Sequence, residues 1–298
     1  MNSLMITSVE QGLIYAVLAM GVFLTYKILD IADLSVEGTF PMGAFIFAKF
    51  VSLGFDPIIS SLMAFFFGML AGALTAFLYI KVKIQPLLSG ILTLTILYSV
   101  NLRIYGKANV GLFSYPSIFD LGSNLLVLGI LVLLIKIILD QFLKTERGYV
   151  LIATGDNETL VRSLGINSNQ YKLLGLMLSN GLVGLSGALM AQIQGFADIT
   201  MGTSIIVVGL ASIIIGDSIK RSSNKIKSTT RAIIGSILYK LIGGIAIDLG
   251  LAPTDLKAIS AIIVIVFIAY NNFSHDLLKR KRGGQKNARD LKSIEKIS

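Results

Sequence analysis

The chain has 298 residues, 54% of them hydrophobic and only 14% charged. Soluble domains carry roughly 25% charged residues, so this composition excludes a large soluble core and predicts an all-α polytopic membrane protein. A formal net charge of +9 would suggest nucleic acid on a soluble domain, but the basic residues cluster between apolar runs, the pattern of membrane topology, so no nucleic-acid partner is expected.

The opening MNSLMITSVEQ has no positive n-region and no small-residue cleavage site, so the first apolar run is expected to stay as a span. Nine runs read as spans of about 20 residues: 12–29, 40–54, 57–80, 85–102, 122–142, 173–193, 203–217, 232–250 and 257–273. Basic residues lie at Lys81 and Lys83, at Lys144, Arg147, Arg162 and Lys172, at Lys220, Arg221, Lys225, Lys227 and Arg231, and in the tail 274–298. Nine alternating spans bring all four clusters to one side. Positive charge marks that side as cytoplasmic, with the N-terminus outside and the basic tail inside against anionic lipid. The fifth span ends in Lys136, Asp140 and Lys144, an i, i+4 ladder that predicts a helix continuing into the cytoplasm.

Ile31-Ala32-Asp33-Leu34-Ser35 follows the first span, and Phe196-Ala197-Asp198-Ile199-Thr200 follows the sixth. Each precedes a glycine-containing apolar helix. The charge-derived topology runs the two copies in opposite directions. The transmembrane domain 1–273 therefore divides into repeat one (12–102), a connector helix (122–142), a coupling loop (144–172) and repeat two (173–273). Inverted repeats with interrupted helices are a transporter signature, and the breaks flank the path. Candidate path residues are Asp33, Ser35, Glu37, Asp198, Thr200 and Lys240. Asp33 and Asp198 can equally cap the helices that follow them, and the hydroxyls can satisfy backbone freed at a break. Glu37 is costly against lipid and should face protein, water or a cation. Lys240, mid-span, should face the bundle interior, most simply in an ion pair. At the outer end of the fourth span, Asn101, Arg103, Lys107 and Asn109 are candidates for docking an acidic protein surface. Gly181, Gly184 and Gly187 form a small-residue face suited to close helix packing.

The loop Lys144–Lys172 is the most polar interior segment. It contains a short helix with both ends marked: Asp156 or Asn157 as N-cap, and Gly165 as a left-handed stop. Leu160, Val161 and Leu164 make a small apolar face, suited to docking on another protein or simply to holding a solvated connector.

The sequence carries no phosphate-binding loop, no H-E-x-x-H pair, no nucleophile elbow, no cysteine, and one histidine, His275, in the tail. No catalytic centre, metal site or cofactor is expected on this chain, so uphill transport must draw on an ion gradient or a partner. Three readings stay open on these grounds. They are a pathway driven by a separate motor, an ion-coupled secondary transporter using Asp33, Glu37, Asp198 and Lys240, and a membrane scaffold.

A resemblance separates them. The run ATGDNETLVRSLGINSNQYKLLGLMLSNGLVGLSGALMAQIQGFADITMGTSIIVVGLASIIIGDSI resembles the permease subunits of bacterial ABC importers for branched-chain amino acids and ribose. With ILTLTILYSVNLRIYGKANV it is most similar to the tryptophan/tyrosine-type permeases. ADLSVEGTFPMGA resembles a sugar-permease segment, but Glu37 stands where those have glycine. The resemblance covers nearly all of 12–273. It implies a multi-pass cell-membrane permease that works as a homodimer with a separate ATPase subunit carrying ATP and Mg. It also implies an extracellular lipoprotein or periplasmic binding protein that delivers cargo. Gly155, Asp156, Asn157, Leu160, Leu164 and Gly165 would then form the ATPase-coupling loop. An amino acid-like cargo is implied, with an aromatic amino acid among the candidates and a sugar or nucleoside as the alternative.

Overall fold

The computed structural model describes residues 2–219 and 227–251 and positions 258, 261, 262, 265, 266 and 269. Helix α1 (Asn2–Phe23) runs on into a π-helical turn, Leu24–Ile28. There the Leu29 and Ile31 N–H groups donate to the Leu24 and Thr25 carbonyls, and Asp30 takes a left-handed backbone (φ 55°). The chain restarts as α2 (Val36–Ser52) and turns through Asp56, whose carboxylate accepts from Ile58 N–H ahead of Pro57 at the first turn of α3 (Pro57–Ile80). Proline suits that position because the first helical N–H groups lack partners anyway. Helix α4 (Pro86–Tyr105) starts the same way and stops at Gly106, φ 74°. Then come β1 (Asn109–Gly111), a 3-10 turn Ile118–Leu121, and α5 (Asn124–Phe142). Helices α6 (Glu146–Asp156) and α7 (Glu158–Ser163) fill the polar loop. Helix α8 (Ser168–Gln194) leads to β2 (Phe196–Asp198), a 3-10 turn Ile199–Gly202, α9 (Ile205–Ile219) and α10 (Ser228–Asp248).

Helix α8 is the axis of the bundle. Its small-residue face lets neighbouring backbones approach to a distance that leucine would forbid. A Cβ added at Gly187 would lie 1.9 Å from the Phe40 carbonyl oxygen of α2, and one at Gly43 would lie 1.9 Å from that of Gly184. Around this axis, Ile14, Leu18, Met20 and Leu24 of the first span, with Leu128 and Leu176, are fully buried. The hydrophobic surfaces of α3, α4 and α5 that face away, such as Leu70, Phe77, Ile130 and Ile138, stay exposed, as lipid-facing surfaces do.

Contacts between helix ends gather the elements at two poles. At one, Gly155 of α6 packs on Ile28, Lys172 of α8 reaches Tyr79 of α3, and Asp140 of α5 meets Lys227 and Thr229. At the other, β1 and β2 pair antiparallel with Asn109 opposite Asp198, and Ser117 and Ile118 bond to Gln192.

The structure revises several expectations. Among the described residues seven helices are long and apolar enough to cross a membrane. The expected second span, 40–54, is the 17-residue α2, which begins at Val36 and sits short of full span length. The ninth run, 257–273, lies largely outside the described residues, as does the tail. The β1–β2 ribbon was not expected in an all-α chain; three-residue strands leave no periodicity to read. The Lys136–Asp140–Lys144 ladder stops early. Helix α5 ends at Phe142, and Asp140 binds Lys136 at 2.8 Å and Lys227 at 2.8 Å, with the Thr229 hydroxyl at 2.6 Å, instead of Lys144.

Candidate coupling helix and path residues

Helix α7 is held by its own sequence. The Asn157 side-chain oxygen accepts from Leu160 N–H at 3.0 Å, and Gly165, at φ 79°, closes the helix by donating to the Arg162 carbonyl. Asp156 is not the cap. It ends α6, which the sequence reading did not separate from its neighbour and whose own N-cap is Thr145. The three apolar residues divide by direction. Val161 is 2% exposed, while Leu160 is 54% and Leu164 68% exposed. One leucine pair thus stands outward from a helix otherwise anchored inward. Gly155 faces the other way: a Cβ there would meet the Ile28 carbonyl at 1.7 Å, so this half-buried glycine serves the packing of α6 on the π-helical turn.

The anchor of α7 is Glu158, a residue the sequence reading passed over. Its carboxylate accepts from the Arg162 guanidinium at 2.6 Å, the Ser168 hydroxyl at 2.9 Å and the Lys172 ammonium at 2.7 Å. Burial opposes its charge, but Lys172, Ser168 and Arg162 outweigh that and hold the group down at about 2. Lys172, buried at the start of α8, also donates to the Tyr79 hydroxyl of α3 at 2.9 Å and lies 4.9 Å from that ring's centre. Charge-assisted bonds of this kind are about twice as strong as neutral ones. They tie α7 to two membrane helices. The Glu158/Arg162 spacing of four was a legible signal; the partners from Ser168, Lys172 and Tyr79 were not.

The path candidates fall into separate places. Asp33 is 3% exposed and Ser35 fully buried. Asp33 Oδ1 accepts from Ser35 N–H at 2.9 Å and from its hydroxyl at 2.5 Å, and Oδ2 accepts from the Asn180 amide of α8 at 2.7 Å. The Asn180 side-chain oxygen in turn accepts from Ser35 at 3.1 Å and Thr39 at 2.7 Å. Asn180, a polar residue in the middle of an apolar span, was the missed member, and its depth was the available signal. Asp198 repeats the local pattern: Oδ1 accepts from Thr200 N–H at 2.7 Å and from its hydroxyl at 2.5 Å. Its other oxygen accepts from Asn109 at 2.9 Å across the β1–β2 ribbon. Burial opposes its charge, yet Thr200 and Asn109 hold its carboxyl below the usual range.

Glu37 and Thr200 line one recess of about 400 Å³ between α2, α4 and the 3-10 turn Ile199–Gly202. Lys240 makes no ion pair among the described residues. It sits 4.3 Å above the Tyr15 ring, so a cation–π contact replaces the expected carboxylate. Of the docking candidates, Arg103, Lys107 and Asn109 are exposed. Asn101 is fully buried with its amide donating to the Gly38 carbonyl at 3.1 Å, which removes it from any exposed surface.

Comparison with known proteins places this architecture. A family model described as the branched-chain amino acid transport system / permease component matches residues 4–269. The chain is 47% identical over 275 residues to the tyrosine transport system permease protein of Clostridioides difficile (strain R20291), covering 92% of this chain and 93% of that one. It is 22% identical to the ribose import permease of Escherichia coli (strain K12), over 88% of this chain and 84% of that one. PsaBC from Streptococcus pneumoniae, solved in complex with Fab, shares the fold at a TM-score of 0.50 and 16% identity, over 89% of this chain and 90% of that chain. The chain therefore belongs to the branched-chain amino acid transport system permease-component family, the permeases of ABC transporters.

Proposed function

We propose that this chain forms the membrane pathway of an ATP-driven importer for an aromatic amino acid. Two copies enclose the path, an ATPase subunit grips α7, and an extracytoplasmic binding protein delivers cargo at the ribbon pole. In this reading the α7 pole is cytoplasmic, so the N-terminus lies outside. The chain itself holds no cofactor; ATP and Mg belong to the ATPase. The full identity of 47% over 275 residues with a tyrosine permease supports the cargo class. The outward Leu160 and Leu164 on a helix pinned by Glu158 support the docking site.

The same geometry gives the stroke a route. A push on α7 acts on Glu158 and reaches α8 through Ser168 and Lys172, and α3 through Tyr79. A push on α6 acts through Gly155 on the π-helical turn, which leads directly to the Asp33 turn. π-helical turns recur at functional sites. Asp33, Asn180, Ser35 and Thr39 then carry α2 with α8 as one body. Asp33 is a fastener in this scheme rather than a stop on the path. The two Asp-x-Ser/Thr turns, matched in local bonding, also support the inverted-repeat reading. Uptake of labelled L-tyrosine and L-tryptophan into liposomes holding permease, ATPase and binding protein tests the function. ATP-dependent accumulation is expected; an importer that accumulates only ribose or a nucleoside overturns the cargo class.

A further inference from the structure

A recess of about 410 Å³ opens at the α7 pole between the first span, α5, α6 and the start of α10. Three helices long and apolar enough to cross a membrane end around it: the first at Ile28, α5 at Phe142 and α10 at Ser228. The recess therefore lies where apolar span gives way to polar chain, which is the level of lipid headgroups. Its lining carries charge of both signs. Lys27, Lys144 and Lys227 bring ammonium groups, and Asp156 brings an exposed carboxylate. Asp140 turns to Lys227 and leaves Lys144 without the partner its spacing predicts. Neither Lys144 nor Asp156 has an ion pair or a side-chain hydrogen bond among the described residues, with each other or with anything else. The paired lysines are not neutralised either. Asp140 serves both Lys136 and Lys227, and Asp217 serves both Lys27 and Arg231, so each carboxylate faces two cations. Lys27 and Lys227 each spend one N–H on these bonds and keep two, on side chains 53% and 51% exposed. Phe23, Leu143 and Ile152 make an apolar part of the same wall.

We propose that this recess binds the headgroup of a phospholipid that carries a primary amine, of the phosphatidylethanolamine type. The lipid phosphate accepts from the Lys144 ammonium and from the spare N–H groups of Lys27 and Lys227. The lipid ammonium donates to Asp156. The glycerol end lies on Phe23, Leu143 and Ile152. Basic pockets between spans take lipid headgroups for the same electrostatic reason. Asp156 narrows the choice here: a purely anionic headgroup meets it as a like charge, whereas a zwitterion gives each end of the recess a charge-assisted bond. A choline headgroup has no N–H to donate to it. The bound lipid joins α6 to three spans. The inference stands on this recess alone and is independent of the cargo.

The test titrates the purified full-length permease in detergent micelles with dioleoyl phosphatidylethanolamine, phosphatidylcholine and phosphatidylglycerol, followed by native mass spectrometry. Wild type is expected to bind the ethanolamine lipid at least fivefold more tightly than either of the others. Asp156→Asn should erase that preference over phosphatidylglycerol. Lys144→Gln should weaken all three lipids at least threefold. Both positions are exposed, and thermal unfolding without added lipid should match wild type, which separates lost binding from lost fold. Tightest binding of phosphatidylglycerol to wild type would show general attraction of anions to lysines and overturn the proposal. So would an undiminished ethanolamine preference in Asp156→Asn, or unchanged lipid binding by Lys144→Gln. Free glycerophosphoethanolamine is the soluble control: binding as tight as that of the whole lipid would make this a site for a soluble phosphate ester and overturn the assignment to the bilayer.

Discussion

Two turns of the molecule carry nearly the same sequence and the same local bonds, yet they stand in opposite surroundings. Asp33-Leu34-Ser35 and Asp198-Ile199-Thr200 each fold a carboxylate oxygen back onto the N–H and hydroxyl two residues on. In each, the second oxygen takes an asparagine amide. Asp33 is 3% exposed and its asparagine comes from the axial helix α8; Asp198 sits at the ribbon pole and its asparagine comes from exposed β1. The lesson is that local sequence sets the turn, whereas burial sets what the turn is for. In water the carboxylate has an alternative partner. In the interior it has none, so every donor around it matters.

The largest effect should come from breaking the interior side. Asn180→Leu keeps the branched shape but strands the Asp33 oxygen and leaves Ser35 and Thr39 without their shared acceptor. Thermal unfolding in detergent should report a loss of about 3 kcal/mol or more. The matching change at the ribbon, Asn109→Leu, should cost at most about 1 kcal/mol, since water replaces the lost donor. Equal losses would erase the distinction. A smaller contrast is expected from Asp198→Ala, a lost cap of about 1 kcal/mol, with correctly inserted protein recovered in normal yield.

Acid sharpens the comparison further, because exposed carboxylates can titrate. Glu158 is held at about 2, against an ordinary 4.5. A depressed carboxylate contributes stability that is fully present above its unfolded value and lost as pH falls through its folded value. The protection factors of the α7 amides, which remove the intrinsic pH dependence of exchange, should therefore be constant above pH 4.5 and fall between 4.5 and about 2. The Asp198 turn, also depressed, should loosen as pH drops below 3.8. Glu158→Gln should show the low α7 protection already at pH 7. The smallest effect on the fold belongs to Leu160→Asp with Leu164→Asp: stability within about 0.5 kcal/mol of wild type, as for surface changes, but loss of ATPase co-purification. A double variant that retains the ATPase would move the docking surface elsewhere.

Much of this architecture was readable from the chain alone. Apolar runs gave the seven spans found among the described residues, because a bilayer sets their length and leaves few alternatives. Local signals worked where one residue controls one backbone group, as at Asn157 and Gly165. What stayed hidden depends on who arrives from far along the chain. Lys172 and Tyr79 are 93 residues apart, and Asn180 and Asp33 are 147 apart. Nothing in a periodicity names such a partner. Asn101 shows the reverse error: at the end of a span it reads as exposed, yet the Gly38 carbonyl draws it inside.

The central claim is that this chain is a pathway without its own energy source, worked by an ATPase through α7. Purified permease, ATPase and binding protein in liposomes decide it. With ATP supplied to the ATPase side and no ion gradient, labelled L-tyrosine should accumulate, and Gly165→Asp, inserted normally, should abolish that accumulation. Accumulation by the permease alone, driven by a proton or sodium gradient, would contradict the account.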